Sequence, residues 1–400
     1  MKNLLPSLSL RRLLAGLLLV LGLTSCGRLI VGGNPENTPT TNFDYFTTIV
    51  RENYSFFAEK KVDWNQLEAR YRPLVNDRMS NDSLYLIFAE MLGSLEDGHV
   101  NFYTDFDRSR SHGFIYDHPA NIDKDLLARN YWGRDYVKTG GFTHNWIRDS
   151  IGYVHYGSFS GQGVSGRQFN YVLNRYAEGK GLIIDLRANG GGSMSRMYAM
   201  VSRFLAEPTF MGTMQYKNGP GPDDFSPPDS VQLKPTLDYA AVAKAKAERA
   251  AKKAAKSGNK AVPPPPVKSD SLEMKPKNMA GKWTVADSTG TWQQKPVVVL
   301  VGRRTYSAAN FCSAYLSTLS HVTLIGDRTG GGGGVPVSFE LPNGWKFRLS
   351  ATRTYLPDGT DIETGIEPDI YQATGYREAL EGKDAIMERA LDLIVEKSSK

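Results

Sequence analysis

The chain has 400 residues, a length that allows two or three domains, or one large domain with additions. Its residues are 40% hydrophobic and 22% charged, and these proportions exclude wholesale disorder. Its two cysteines exclude a disulfide framework and a cysteine-rich zinc site. The net charge of +6 argues against a nucleic-acid-binding core, because residues 1–25 carry +3, residues 243–277 carry +7 and the rest of the chain carries −4.

The N-terminal segment has the pattern of a bacterial secretion signal. Basic residues precede a short apolar run that ends in Leu-Thr-Ser-Cys26, which resembles a lipoprotein cleavage box. We expect residues 1–25 to be a lipoprotein signal peptide, Cys26 to be the lipidated first residue and residues 26–40 to be a flexible tether. The protein is then expected in the bacterial cell envelope, anchored by lipid on the periplasmic side of the outer membrane. An ordinary signal peptide is the alternative.

Residues 41–97 have the apolar periodicity of helices. The spacing is helical in three successive sets, which are Phe43, Phe46, Val50, Tyr54 and Phe57, then Trp64, Leu67, Tyr71 and Leu74, then Leu84, Phe88, Met91 and Leu95. Such an aromatic stripe is more typical of a core than of a binding site. We therefore predict a small N-terminal helical bundle.

Residues 98–400 change to strands, and two strand–loop–helix units stand out in them. In the first, the apolar strand Gly181–Leu186 is followed by a glycine-containing loop and a helix over Ser193–Leu205. In the second, the strand Pro296–Val301 is followed by a loop and a helix over Ser307–Leu319. Apolar strands that alternate with helices predict a buried, largely parallel sheet in an α/β domain.

The rest of this domain contains an insert, further strands and a final helix. The insert at 243–277 is rich in alanine, lysine and proline, and we expect a surface excursion without chemistry of its own. Strands are predicted at Val322–Ile325, Val335–Leu341 and Trp345–Ser350, and the chain is predicted to close with a helix over Arg377–Lys397.

Three features suggest chemistry, although each also has a purely structural explanation. Ser307 follows a buried strand and opens a helix, whose N–H groups favour developing negative charge, but a serine there is also a good N-cap. The glycines of Asn189–Gly192 can present N–H groups to an oxyanion, or can simply form a tight turn. His99 lies between the helical bundle and the first strand, but a lone histidine is more often a satisfied structural residue than a base.

Two other candidate sites are rejected. The glycine run Gly330–Gly334 is not followed by Gly-Lys-Ser/Thr and precedes a strand, so a phosphate-binding loop is not predicted. His112, His118 and His144 match no metal-binding spacing, and we take them as loop residues. We therefore expect neither a metal nor a cofactor.

Four motifs in order resemble those of the C-terminal processing peptidases, whose superfamily includes the tricorn core protease and the interphotoreceptor retinoid-binding protein. The resemblance covers residues 43–371, apart from the basic insert. It implies a crotonase/ClpP-like α/β core preceded by the helical bundle. The motifs are Asp185-Leu-Arg-Ala-Asn-Gly-Gly-Gly192, Thr305-Tyr-Ser-Ala-Ala309, Ile325-Gly-Asp-Arg-Thr-Gly330 and Gly365-Ile-Glu-Pro-Asp-Ile370.

The resemblance also implies the roles of particular residues. Ser307 matches the nucleophile, and the oxyanion hole would come from the backbone N–H groups of Ala308 and of one glycine in the 190–192 run, for which we choose Gly191. The processing peptidases use a lysine base where this chain has Gly332. The tricorn-like branch instead uses a histidine and an orienting glutamate.

In this sequence the histidine of the tricorn-like branch matches His99, and its glutamate matches Glu363. The expected activity is that of a serine endopeptidase acting on peptides or unfolded protein segments, with the lipidated Cys26 as its link to the membrane. Residues 104–150 are too few for the PDZ domain of many processing peptidases, so capture of a protein C-terminus by that route is not expected. The alternatives are a non-catalytic carrier of apolar ligands on the same fold, and an envelope scaffold that uses the basic insert.

Overall fold

The computed structural model describes residues 36–110, 117–148, 150–161, 164–235 and 291–399, which divide into two compact units. The predicted signal peptide, Cys26, the insert at 243–277 and His112 lie outside the described residues. None of the described helices is long and apolar enough to cross a membrane.

The first unit consists of residues 36–110, 217–224 and 336–351 and combines helices with an antiparallel sheet. The sheet has the strand order β11-β12-β1-β2, with strands numbered along the whole chain. Its elements are the helices α1 (Pro39–Asn53), α2 (Trp64–Tyr71) and α3 (Asn81–Gly93), a 3-10 turn (Arg72–Leu74), and the strands β1 (Asn101–Tyr103), β2 (Arg108–Arg110), β11 (Pro336–Glu340) and β12 (Lys346–Ser350).

The helices of this unit share one aromatic core with the sheet. Phe46 of α1 stacks on Phe88 of α3 with ring centroids 4.2 Å apart, and Phe347 of β12 meets Phe46 edge-on at 5.5 Å. The unit therefore extends beyond the predicted bundle at 41–97, because the apolar face of β12 is buried against the helices. Pairings between strands so distant in sequence leave no trace in local periodicity.

The second unit is built on a seven-stranded sheet with the order β14-β10-β9-β6-β5-β4-β3. Strands β3, β4 and β5 pair antiparallel, whereas β5, β6, β9, β10 and β14 are parallel, which confirms the largely parallel sheet that the sequence predicts. The strands are β3 (Val137–Thr139), β4 (Phe142–Ile147), β5 (Ile151–Tyr156), β6 (Gly181–Asp185), β9 (Val297–Val301), β10 (Val322–Gly326) and β14 (Ile370–Tyr371).

Both faces of this sheet are covered, which explains why its strands are continuous apolar runs. On one face, Ile184 and Val299 join the cluster that includes the α5, α6 and α7 side chains, and on the other, Ile183 and Val298 join α9. The helices of the unit are α4 (Lys124–Leu127), which continues as a π-helical turn (Ala128–Trp132), α5 (Gly166–Arg175), α6 (Met194–Val201), α7 (Ala308–Ser317), α8 (Tyr376–Leu380) and α9 (Ala385–Ser398).

A smaller antiparallel sheet in the second unit was not predicted from the sequence. Its order is β13-β7-β8, formed by β7 (Thr209–Tyr216), β8 (Asp229–Leu233) and β13 (Thr352–Tyr355). Most side chains of β8 are exposed, and a bulge between Phe210 and Gly212 interrupts the burial pattern of β7, so these strands give a weaker apolar pattern in the sequence than the parallel strands do.

The predicted final helix over Arg377–Lys397 is wrong, because the structure has two helices there. The chain turns at Gly382, whose φ of 71° lies in the left-handed region. Asp384 then begins α9 as its N-cap and accepts the N–H groups of Ile386 and Met387.

His144 is also not the loop residue that we predicted. It lies fully buried on β4, with Nδ1 2.7 Å from Tyr176 Oη and Nε2 2.9 Å from Thr139 Oγ1. Burial, together with the charge of Arg175, lowers the pKa of His144 to about 4.

We expect this histidine to make the protein less stable in acid. The unfolded chain takes up a proton on this histidine near pH 6.5, whereas the buried imidazole of the folded chain does not. The free energy that favours the folded chain is therefore largest above pH 6.5 and falls as the pH is lowered towards 4. In thermal unfolding, Tm should fall between pH 7 and pH 5 by about 4–7 °C more in wild type than in His144→Gln, which corresponds to about 2 kcal/mol. The exposed His118, changed to Gln, is the control, and an unchanged slope in His144→Gln would contradict the assignment.

Candidate active site

Ser307 stands at a sharp turn between β9 and α7. Its backbone has φ 55° and ψ −126°, a conformation that is costly for a residue with a side chain. Its side chain makes no capping hydrogen bond to the helix, so the N-cap explanation for this serine is not supported. A strained turn between a strand and a helix is the geometry that presents a nucleophilic serine in other hydrolase folds.

The glycine loop after β6 packs directly against this turn. A Cβ atom added to Gly191 would lie 2.6 Å from Ser307 Cβ and 2.8 Å from the backbone nitrogen of Ala308. Gly191 also has φ 94°, so both its conformation and its surroundings require glycine. Three of the residues predicted for the site are therefore neighbours in the second unit.

The backbone of Gly191 is held by hydrogen bonds on both sides. Its N–H donates to Asn189 Oδ1 at 2.9 Å, and its carbonyl accepts from the Phe159 N–H at 2.9 Å. Asn189 is fully buried, and its Nδ2 donates to the Tyr156 carbonyl at 2.8 Å. The loop conformation is thus fixed by a buried amide, and the N–H of Gly191 is engaged in this structure.

Glu363 lies in the same unit and is 4% exposed. Its Oε2 accepts the Gly334 N–H at 3.1 Å, and its carbonyl accepts the Gly332 N–H at 2.9 Å. Its own N–H donates to Asp361 Oδ1 at 2.7 Å. The position of the carboxylate is therefore set by the glycine run.

The glycine run at 330–334 connects Glu363 with the serine turn, a role that the sequence analysis missed. Gly331 accepts the Ser307 N–H at 2.9 Å, while the next glycine donates to Glu363. A Cβ on Gly331 would lie 2.0 Å from the Glu363 carbonyl, so only glycine fits between the two segments. The five consecutive glycines in the sequence were the signal that could have predicted this close packing, but the run was interpreted there with respect to a phosphate-binding loop.

His99 belongs to the first unit, where it lies between α3 and β1 and is 5% exposed. Its N–H donates to Asp97 Oδ1 at 2.8 Å, and its carbonyl accepts from Arg348 Nε at 3.2 Å. These bonds fix the backbone that carries the imidazole. Its role as a base stays a prediction.

A buried ion network lies at the base of the glycine loop. Arg187, fully buried, donates to Asp185 Oδ2 at 2.7 Å and to Asp384 Oδ2 at 2.8 Å. Tyr153 Oη donates to the same Asp185 oxygen at 2.8 Å. Burial would raise the pKa of Asp185, but the charge and hydrogen bonds of Arg187 outweigh it and hold that pKa below its usual value.

Metal chemistry has no candidate centre in the described part of the chain. No group of three or more His, Cys, Asp or Glu side chains is arranged there to hold an ion. The chemistry available in the second unit is that of a hydroxyl, a carboxylate and backbone N–H groups.

Comparison with known proteins assigns the two parts of the chain to families. Residues 150–372 match peptidase family S41, and residues 35–93 match the tricorn protease C1 domain. A curated carboxy-terminal-processing protease from Bartonella bacilliformis is 30% identical over 95 residues, which are 24% of this chain and 22% of that protein. The chain therefore spans about a fifth of the curated relative that it matches.

Solved structures match over most of the chain. A protein from Parabacteroides merdae that is assigned as a peptidase is 36% identical, with a TM-score of 0.70, over 90% of this chain and 97% of that one. Mature CPAF is 12% identical, with a TM-score of 0.51, over 89% of this chain and 96% of that one, which shows a likeness of fold alone. The α/β fold with an N-terminal helical region is thereby confirmed.

Proposed function

The chain belongs to peptidase family S41, a family of serine peptidases, and on this basis we propose that it is a serine endopeptidase that cleaves peptides or unfolded protein segments. The observation that supports the proposal best is the assembly around Ser307. A strained serine turn, a glycine loop in contact with it and a buried glutamate share one hydrogen-bonded arrangement.

In the proposed mechanism, Ser307 Oγ attacks the scissile carbonyl while the His99 imidazole accepts its proton. The tetrahedral intermediate then collapses, the imidazolium gives its proton to the leaving amine, and an acyl-enzyme remains. Water, activated by the same imidazole, hydrolyses the ester and restores the serine. Glu363 orients the base and stabilises the imidazolium.

The choice of histidine over lysine as the base is supported at Gly332. This position matches the catalytic lysine of the processing peptidases, but its φ is 79° and an added Cβ would lie 2.5 Å from Tyr306 Cζ. A lysine there would therefore need a strained backbone and a shift of the buried Tyr306 ring. Lys346, the next lysine along the chain, is 60% exposed and pairs with Glu340. A neutral imidazole is well suited to accept a proton at neutral pH.

The oxyanion is proposed to rest on backbone N–H groups of Ala308 and Gly191. Each such donor is typically worth about 3 kcal/mol of transition-state stabilisation. Because the Gly191 N–H donates to Asn189 in this structure, the substrate oxygen must share that N–H or replace the amide oxygen.

The proposed location is the periplasmic face of the outer membrane, with Cys26 as the lipid anchor. Its support is the cleavage-box sequence alone, since Cys26 lies outside the described residues.

The test is cleavage of denatured casein and of a peptide mixture by a soluble form beginning at residue 27, with products identified by mass spectrometry. We expect Ser307→Ala and His99→Ala each to lower the rate about a thousandfold or more, because the nucleophile and the base act as a unit. Ser317→Ala, on the same helix, and the exposed His118→Ala are the matched controls.

Loss of cleavage with Ser307→Ala but not with His99→Ala would refute the assigned base. A folded wild type without any cleavage would favour the alternative of a carrier for apolar ligands. Among the described residues, one apolar cavity, between Phe142, Phe169 and Phe204, has a volume of about 10 Å³, which is too small for such a ligand.

A further inference from the structure

We propose that Asn310 and Thr329 form a clamp that holds the Glu363 segment in register with Ser307, so that both are positioning residues for the reaction. This inference rests on the proposed function, in which Glu363 orients the catalytic base. The clamp is a pair of buried polar side chains that no step of the mechanism above uses.

Asn310 lies on the first turn of α7, three residues after Ser307, and is fully buried. Its Nδ2 donates to the Ile362 carbonyl at 2.8 Å, and its Oδ1 accepts from Thr329 Oγ1 at 2.6 Å. The amide therefore connects the helix that begins at the serine with two separate loops.

Thr329 completes the connection from the other side. Its Oγ1 accepts the Ile366 N–H at 2.6 Å, and its own N–H donates to the Ile366 carbonyl at 3.0 Å. The segment 362–366 is thus held at one end by Asn310 and at the other by Thr329. Glu363 lies between these two attachments.

The clamp also fixes the position of the backbone at the start of the glycine run. Thr329 immediately precedes Gly330, whose N–H donates to the Thr305 carbonyl at 2.8 Å. Two residues further on, Gly332 donates to Glu363, so the same short segment contacts the serine turn and the glutamate. A shift of Thr329 would move both together.

A purely apolar core would be the simpler way to pack this helix. Asn has a low helix propensity, and burying an amide costs free energy unless all its bonds are made. Both side-chain hydrogen bonds of Asn310 go to loops outside the helix. Such bonds specify the position of the loops, which apolar contacts do far less well.

The decisive variant is Thr329→Val, which keeps the shape of the side chain and removes its hydroxyl. We expect kcat for a peptide substrate to fall about 10- to 100-fold with KM nearly unchanged, because a small displacement of catalytic groups has that effect on the chemical step. Thr329→Ser, which restores the hydroxyl, should recover most of kcat. The matched control is Ser313→Ala on α7, the helix that carries Asn310. It removes a buried hydroxyl whose hydrogen bond goes to the Ala309 carbonyl of the same helix.

A double variant with Glu363→Gln separates positioning from a general loss of structure. If the clamp acts through Glu363, Thr329→Val should lower kcat only slightly further in that background. An equal loss in both backgrounds, or no recovery with Thr329→Ser, would overturn the clamp while leaving the proposed function intact. Cleavage that survives Ser307→Ala would instead overturn the proposed function, and the clamp with it.

Thermal unfolding of each variant shows whether it is folded. Should Thr329→Val not fold, Asn310→Leu is measured in the same way, because leucine fills the volume of the amide without its hydrogen bonds. A wild-type kcat in that variant would overturn the clamp.

Discussion

Gly191→Ala is expected to lower kcat/KM by about 100-fold or more, although alanine keeps the backbone N–H. The new methyl group would lie 2.6 Å from Ser307 Cβ and 2.7 Å from the Tyr306 carbonyl oxygen, so the loop and the serine turn must separate. The φ of 94° adds backbone strain, because this angle is unfavourable for any residue that has a Cβ atom. Both effects displace the groups that would bind the oxyanion.

Gly190→Ala is the matched control, because it lies one residue earlier in the same loop. A Cβ there meets no atom within 4 Å, and its backbone is outside the left-handed region. We expect kcat/KM within about threefold of wild type. Activity is measured on one peptide substrate, with thermal unfolding as the check on folding. A fully active Gly191→Ala would contradict the proposal that close packing of this loop against Ser307 is needed for activity.

Arg187→Leu is expected to destabilise the protein by about 3–5 kcal/mol. The substitution removes the one cation that compensates two buried carboxylates, those of Asp185 and Asp384. It also removes the donor to the Asn121 carbonyl, at 2.9 Å. For a domain of roughly 150–250 residues, each kcal/mol of lost stability lowers Tm by about 2–4 °C. We therefore expect Arg187→Leu to lower Tm by roughly 6–20 °C, which differential scanning calorimetry measures directly.

The control for this substitution is Arg148→Leu, which breaks an ion pair with Glu388 on α9. Arg148 is 47% exposed, and an exposed pair of this kind contributes less than about 1 kcal/mol. A similar Tm in the two variants would mean that the Arg187 network stabilises the fold no more than a surface pair does.

Local patterns were sufficient for those parts of the site that lie at the ends of buried strands. The apolar runs before Asn189 and before Ser307 predict two neighbouring parallel strands, and the structure pairs β6 with β9 in parallel. The resemblance to the processing peptidases implies that Gly191 and Ser307 share one site, and in the structure the two residues are neighbours. The sequence also correctly predicted the position of His99 between a helix and a strand.

Contacts between segments far apart in the chain could not be predicted from local sequence patterns. The glycine run was considered as a phosphate-binding loop, yet in the structure it lies between the serine turn and Glu363 and hydrogen-bonds to both. The break at Gly382 was hidden, because a helical pattern continues on both sides of it, and only the N-cap at Asp384 and its ion pair with Arg187 reveal the second helix. The contacts of the glycine run join segments that are distant in the chain, whereas the break at Gly382 has a local cause, a glycine followed by the Asp384 N-cap, which the apolar periodicity did not reveal.

The sequence by itself therefore determined the strand–loop–helix units, since apolar periodicity and glycine placement act over a few residues, and the resemblance of the motifs singled out Ser307 for the proposed site. The tertiary structure alone decided that β11 and β12 belong with the N-terminal helices, that Gly330–Gly334 sets the Glu363 carboxylate, and that Asn310 meets Thr329. The physical reason is that such contacts are selected by burial and by hydrogen-bond satisfaction once the chain has packed, and a one-dimensional pattern does not encode which loops are brought together.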